Sequence, residues 1–374
     1  MNHAAVSPLS DPVRAAVDAA MADTAADGVG AFMRWMGQRE RLRASLAALI
    51  GAGSPADVAL TRGTTAGITA LAFCLDWAPG DRIIGFDGEF PANVTPWQRA
   101  AATFDLTMDL LSLDGFGDGS GRGLERLEAA LKQGVRVVAV SAVQFSTGLR
   151  MPLAAMSALA HEHGALLAVD GIQACGATPV DVEAEGVDLL ACGAHKWMMG
   201  AEGCGFGYVA PEHLDALQPR MAGWFSHEDG LRFLFEGEGH LRYDRPIRRR
   251  IDFLEGGAWN TVGFAALEAA LSLTQSLGVE QVFTHVQGLL DALEAGLVAR
   301  GFRSLRATDP AARSCILALK PPEGVDVVAL HKALGEAGVS CTIPDGCLRF
   351  SPHWPNGRGE VPAVLEAVDA ALLR

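Results

Sequence analysis

ALLAVDGIQACGATPVDVEAEGVDLLACGAHKWMMGAEGCGFGYVA, residues 165–210, holds three apolar runs of strand length separated by turn-rich connections. ALLAVD (165–170), DLLACGA (188–194) and GFGYVA (205–210) do not alternate polar with apolar residues, the pattern of strands buried on both faces. Open parallel sheets present functional side chains at the carboxyl ends of their strands. The first run ends in Asp170 and the second leads into His195-Lys196, so an acid and an amine are expected at strand ends in one sheet. Lys196 is one of only four lysines, with Lys132, Lys320 and Lys332, among 30 lysines and arginines. Its neighbours are glycines and apolar side chains. A desolvated amine has a lowered pKa, which suits nucleophilic chemistry, although a loop lysine would fit the same local context. Asp170 closes an apolar run and needs a cationic partner there, unless it only caps the turn that follows.

Outward from this stretch the alternation of strand and helix continues. DRIIGFD (81–87) and VRVVAVSAV (135–143) have strand character, and VALT (58–61) is a short strand. Helical periodicity covers 13–21, 31–50, 124–133 and 153–163, and a helix follows the Arg62-Gly63-Thr64-Thr65 turn as far as Trp77. Phe32, Trp35 and Met36 form an apolar helical stripe that belongs in a core. These elements predict an α/β layer architecture with a mostly parallel central sheet. Beyond about residue 245 the pattern changes. Helices are expected at 260–277 and 281–300, strands at SCILALK (314–320) and CLRFSP (347–352), and two further amphipathic helices complete a smaller α+β unit. The expected organisation is an N-terminal arm (1–12), a large domain (13–245) and a small C-terminal domain (246–374).

Composition narrows the function classes. A net charge of −14 and a pI near 5.1 argue against nucleic acid or an anionic membrane as partner. Arg248-Arg249-Arg250 is the only tight basic cluster and reads as a solvated or ion-paired face. No apolar run approaches the ~18 residues of a membrane span, and the first twenty residues lack the pattern of a signal peptide. Seven cysteines, an odd number without a CxxC pair, read as reduced, mostly buried cytoplasmic thiols. His161-Glu162-His163 lacks the i, i+4 spacing of a zinc helix, so no metal site is expected. GFGDGSGRG (115–123) is a linker with no Gly-Lys-Ser/Thr after it, and no G-x-G-x-x-G follows the first strand, which disfavours a nicotinamide enzyme.

A third chemical element is TRGTTAGITALAF (61–73), where a glycine turn opens a helix at Thr64 and Thr65. Backbone N–H groups, hydroxyls and the positive helix end can seat a phosphate, though such residues also serve as ordinary caps. An amine, a strand-end acid and a phosphate seat together match the needs of pyridoxal 5'-phosphate. With the D-G-x-Q, P-V-D-V and H-K blocks, and with TRGTTAGI, EFPANVTPW, VQFSTG, EGGAWNT and LRFSPHW in order, the chain resembles the class V aminotransferase family of fold-type I pyridoxal-phosphate enzymes. That family includes cysteine desulfurases, selenocysteine lyases, kynureninases and isopenicillin N epimerase, and the likeness covers essentially the whole chain.

The resemblance implies roles position by position. Lys196 would carry the internal aldimine and move protons at the substrate α-carbon, Asp170 would pair with the pyridine nitrogen, and Gln173 would hydrogen-bond the phenolic oxygen. Thr64, Thr65 and His195 would bind the phosphate, Phe90 would stack on the ring, and Arg349 would clamp the substrate α-carboxylate. Asn2, His3, Trp259 and Asn260 would line the substrate side, the last two from a neighbouring subunit of a homodimer. Departures also count. Phe90 stands where desulfurases usually carry a histidine, Gly193 replaces a frequent serine, and Ala258 replaces a frequent threonine. The segment EAGVSCTIPDGCLRFS (336–351) is too short for the desulfurase cysteine loop, and Cys341 and Cys347 read as buried structural thiols. His353 is open between substrate contact and an ordinary loop position. The expected function is a pyridoxal-phosphate lyase acting on an amino acid through an α-carbanion, desulfurase-like without the usual cysteine loop. A class V aminotransferase or an epimerase is the alternative, and a non-catalytic protein of the same fold the remote one.

Overall fold

The computed structural model describes residues 1–373. Its main sheet has seven strands: β1 (Val58–Thr61), β2 (Arg82–Phe86), β3 (Thr107–Leu111), β4 (Val137–Ser141), β5 (Leu166–Asp170), β6 (Leu189–Gly193) and β7 (Gly205–Val209). The order is β1-β7-β6-β5-β4-β2-β3, parallel from β6 to β3, with β7 antiparallel to both its neighbours. The sheet is the mostly parallel one expected. Register places Ser141 opposite Asp170 and Asp170 opposite Ala191, so three strands end at one edge.

Period-two alternation sends the strand side chains to two apolar layers. Val138, Val140, Leu167, Val169, Leu190 and Cys192 pack on one face, and Val137, Ala139, Leu166, Ala168, Leu189 and Ala191 on the other. Helices cover both faces, which is why these strands read as unbroken apolar runs. The helices are α1 (Asp11–Asp27), α2 (Phe32–Ile50), α3 (Thr64–Cys74), α4 (Thr95–Phe104), α5 (Arg122–Leu131), α6 (Leu153–Glu162) and the short α7 (Arg232–Phe235). α2, α5 and α6 supply the first layer with Leu46, Leu127 and Met156; α3 and α4 supply the second with Leu71 and Trp97.

The chain continues through α8 (Thr261–Leu277), which packs on α1 and α2, and α9 (Val279–Val298). A second, antiparallel sheet, ordered β10-β9-β8, comprises β8 (Arg303–Ser304), β9 (Leu317–Lys320) and β10 (Leu348–Phe350), with α10 (Val327–Glu336) and α11 (Glu360–Leu372). The strand expected from residue 314 starts at Leu317, because Ser314 turns to donate to the Gly148 carbonyl at 2.6 Å. α4 and β3 lie outside the sequence expectations. β3, TMDLL, is an edge strand with no fully buried residue, so it carries no apolar run. Among the described residues no single helix is long and apolar enough to cross a membrane. Arg248 and Arg250 both pair with Asp252, so the basic triplet is ion-paired.

A buried ionic knot joins the helices to the loop before α8. Glu255 accepts from Arg43 Nη2 at 2.7 Å and from the Leu60 N–H at 2.8 Å, and it also pairs with Arg39. The Arg39 guanidinium lies 3.5 Å from the centroid of the Trp259 ring, and burial pushes its pKa down to about 9. Removing the shared acid strands the buried Arg39 guanidinium and leaves Arg43 with only the exposed Glu40. Glu255→Ala is therefore expected to destabilise the fold by about 3–5 kcal/mol, measured by denaturant unfolding. A loss below about 1 kcal/mol would show that water reaches the knot.

Candidate active site

The carboxyl edge of β5 and β6 opens into a cavity of about 1330 Å³. Asp170 lines it as the last residue of β5, and Lys196 lies in the loop after β6. Asp170 is 1% exposed; its Oδ1 accepts from the Ile172 N–H at 3.0 Å, while Oδ2 is buried with no hydrogen-bond partner. Burial raises the Asp170 pKa, and the nearby Glu89 raises it further, against the Ile172 N–H and the Lys196 charge. Burial lowers the Lys196 pKa, opposed by Asp170 and reinforced by the Arg349 cation. The Lys196 Nζ stands 5.4 Å from the Phe90 ring centroid, and Phe90 meets Phe145 edge to face at 5.2 Å.

The phosphate end is built at α3. Gly63 precedes it at φ 133°, a conformation open only to glycine, and the first residues of the helix, Thr64, Thr65 and Ala66, line the cavity. Thr64 Oγ1 is buried without a partner, and Thr65 and His195 line the cavity beside it. A Cβ on Gly193 would lie 3.1 Å from that hydroxyl, so glycine keeps the space beside it open. His195 is half-buried, and its pKa is lowered by burial and by the Lys196 charge.

On the opposite side Arg349, on β10, is buried and donates from Nη1 to the Phe145 carbonyl at 2.6 Å and from Nε to Thr342 Oγ1 at 2.9 Å. Burial pushes its pKa down to about 10, still cationic at neutral pH, and among the described residues it has no carboxylate partner. Gln173 gives its Oε1 to the Trp197 Nε1–H at 2.9 Å and donates from Nε2 to the Ala4 carbonyl at 3.2 Å, which leaves one amide proton. Trp259 and Asn260 line the cavity, but both also hold structure. The Trp259 ring lies against Arg39, and Asn260 Oδ1 caps α8 through the Gly263 N–H at 2.9 Å.

Asn2 and His3 require a correction. Ala4, Ala5 and Val6 line the cavity, whereas Asn2 bridges to Ser351 and His3 is buried behind the arm, with Nδ1 2.7 Å from Ser7 Oγ. The arm runs beside the segment after β10, and that pairing turns its second and third residues away from the cavity. His353 is buried too, with Nε2 donating to the Trp197 carbonyl at 2.7 Å, a structural position. All seven cysteines are buried and unpaired, and among the described residues no thiol lines the cavity.

Two groups escaped sequence reasoning. Glu89 is buried and accepts from the Ser141 N–H and Gln144 Nε2, both at 2.7 Å, and from Asn93 Nδ2 at 3.3 Å. It fixes the loop that carries Phe90. Ser7 holds the Lys196 loop from the arm. Only the position of Glu89 inside EFPAN hints at it, since most of its partners come from around β4.

The constellation fits pyridoxal phosphate. A buried carboxylate oxygen with no partner is costly unless a cationic donor meets it, as a pyridinium N–H would. An unpartnered hydroxyl beside a helix N-terminus suits a phosphate. Comparison with known proteins agrees. The family model for class-V aminotransferases matches residues 4–350. The uncharacterized aminotransferase YcbU of Bacillus subtilis is 28% identical over 88% of this chain and 83% of its own length. A cysteine desulfurase of Klebsiella pneumoniae is 35% identical over 68% of this chain; the match spans 62% of that enzyme, less than two thirds. Two solved structures of C-DES superpose with TM-scores of 0.89 and 0.86 at 23% identity, each covering 98% of this chain and 95% and 96% of the other. One holds glycine covalently linked to the PLP cofactor, and the other is a complex of the cystine C–S lyase with its product cysteine persulfide.

Proposed function

The chain belongs to the class-V aminotransferase family of pyridoxal-phosphate enzymes, and from that premise we propose that it is a lyase eliminating sulfur from a cysteine-type amino acid. The observation that carries this reading is a cavity bringing together a desolvated amine, an unpartnered acid and a buried arginine, with no thiol on its described walls. A desulfurase passes sulfur to its own cysteine. Without such a group the sulfur leaves in the product. The names of C-DES and of the Klebsiella pneumoniae enzyme support C–S cleavage, and the name YcbU keeps amino transfer as the second reading.

When bound, pyridoxal phosphate supplies an electron sink for the bonding pair released at the substrate Cα. Arg349 holds the substrate carboxylate through its free guanidinium N–H groups and so orients the amino acid over the Phe90 side of the cavity. Lys196 Nζ, kept less basic by burial, takes the Cα proton and returns it to the departing sulfur. Asp170 Oδ2 would accept the pyridine N–H, Thr64, Thr65 and His195 would bind the phosphate, and the remaining Gln173 N–H would serve the phenolic oxygen. Trp259 and Asn260 serve the substrate side, within a homodimer of cytoplasmic location built from the arm, large and small domains divided near residues 12 and 245.

The balance of the reaction separates the alternatives. Elimination from an S-substituted cysteine consumes one water and yields pyruvate, ammonium and the sulfur compound. The holoprotein given L-cysteine or L-cystine is expected to release pyruvate and ammonium in equal amounts and to remain free of bound sulfur. Alanine together with a persulfide on the protein would assign a desulfurase. Transfer of the amino group to an added 2-oxoacid, with no ammonium, would assign an aminotransferase.

A further inference from the structure

Three consecutive peptide carbonyls around the amine are held from outside their loop. The Ser7 N–H donates to the His195 carbonyl at 2.9 Å, Ser7 Oγ–H to the Lys196 carbonyl at 2.6 Å, and His353 Nε2–H to the Trp197 carbonyl at 2.7 Å. The hydroxyl of Ser7 has one proton. Having given it to Lys196, it accepts at its other side from His3 Nδ1–H at 2.7 Å, which fixes the His3 tautomer. His353 Nδ1 in turn accepts from the Trp354 N–H at 2.8 Å. Burial pushes the pKa of His3 down to about 3 and of His353 to about 4, so both rings are neutral donors across the neutral range. The two rings meet edge to face at 5.3 Å.

The same arm is tied to the strand that carries the arginine. The His3 and Ala4 N–H groups donate to the Ser351 carbonyl and Oγ at 3.0 and 3.1 Å, and the Ser351 N–H donates to the Met1 carbonyl at 2.9 Å. Ser351 lies two residues after Arg349. Seven residues of arm therefore span the amine loop and the end of β10.

We propose that Ser7, oriented by His3, is a positioning residue that sets the place of the Lys196 amine relative to Arg349. Buried packing alone would be met by alanine at position 7; the hydroxyl is needed for the hydrogen bond. A displacement of about 1 Å between reacting groups costs on the order of 100-fold in rate, and supporting contacts are what prevent it. The inference rests on the proposed role of Lys196, but it can be read without cofactor.

The test compares Ser7→Ala, Ser7→Thr and His3→Phe, the last keeping the ring while deleting its donor. In the cofactor-free protein, Lys196 is methylated with formaldehyde and cyanoborohydride at a series of pH values and quantified by peptide mass spectrometry, with Lys320 as the internal reference. Ser7→Ala and His3→Phe are expected to raise the pH midpoint for Lys196 by about half a unit as water reaches the amine, leaving Lys320 unchanged. In the holoprotein kcat should fall about tenfold with KM held within about threefold, since Arg349 keeps its own partners. Ser7→Thr should restore both quantities to within about twofold. A Lys196 profile unchanged in Ser7→Ala and His3→Phe would overturn the proposal, as would equal losses in Ser7→Thr, which would mark a loosened fold rather than a missing hydroxyl. Because the labelling uses neither cofactor nor substrate, failure of the lyase reading leaves this result interpretable.

Discussion

Lys196→Ala is expected to remove the visible absorption band that the protein develops with pyridoxal phosphate, and to lower turnover by on the order of 10⁴-fold or more. No other lysine can substitute. Lys132 pairs with Glu128 of α5 at 2.6 Å, the half-buried Lys320 reaches the Asp345 carbonyl at 3.5 Å, and Lys332 is on α10; none of them lines the cavity. The variant should stay folded, because removal of a buried amine without a salt-bridge partner relieves a desolvation cost. A coloured and active Lys196→Ala protein would refute the assignment of the amine.

Asp170→Asn is expected to act with opposite signs on function and stability. The amide cannot neutralise a pyridinium, so kcat/KM should fall by about 10²–10³. In the cofactor-free protein the wild-type acid is held in a buried place that raises its pKa above the unfolded value. Such a group costs stability as pH rises from the ordinary carboxylate range through the raised folded pKa, where the unfolded chain has lost its proton and the native state must follow. The asparagine variant has no proton to lose. Thermal unfolding from pH 4 to pH 8 should therefore show the wild-type apoprotein losing stability relative to Asp170→Asn, with the order reversed once cofactor is bound. Parallel pH profiles of the two apoproteins would mean that the acid is hydrated.

Much of this arrangement was legible in one dimension, for stated physical reasons. Strands buried on both faces must be apolar throughout, so β4, β5 and β6 announced themselves, and Asp170 stood out as the carboxylate ending such a run. Lys196 was conspicuous in a chain that otherwise uses arginine. Arg349 carried no local signal, since an arginine in a short strand is ordinary; only the likeness to a family pointed to it, and the structure places it on the same cavity. The arm shows where such likeness fails. Its proximity to the site was expected, but which of its residues face inward depends on pairing with Ser351, more than three hundred residues away. Glu89 and Ser7 were hidden for the same reason, because a polar residue's burial is decided by partners distant in sequence. The edge strand β3, half-exposed and polar, had no pattern to read.

The covalent bond to the cofactor can be located chemically. The protein is loaded with pyridoxal phosphate, reduced with borohydride, digested, and searched for the phosphopyridoxyl mass on each of its four lysines. The adduct is expected on Lys196 alone, at close to one per chain. A modification spread over Lys132, Lys320 and Lys332, or none at position 196, would contradict it.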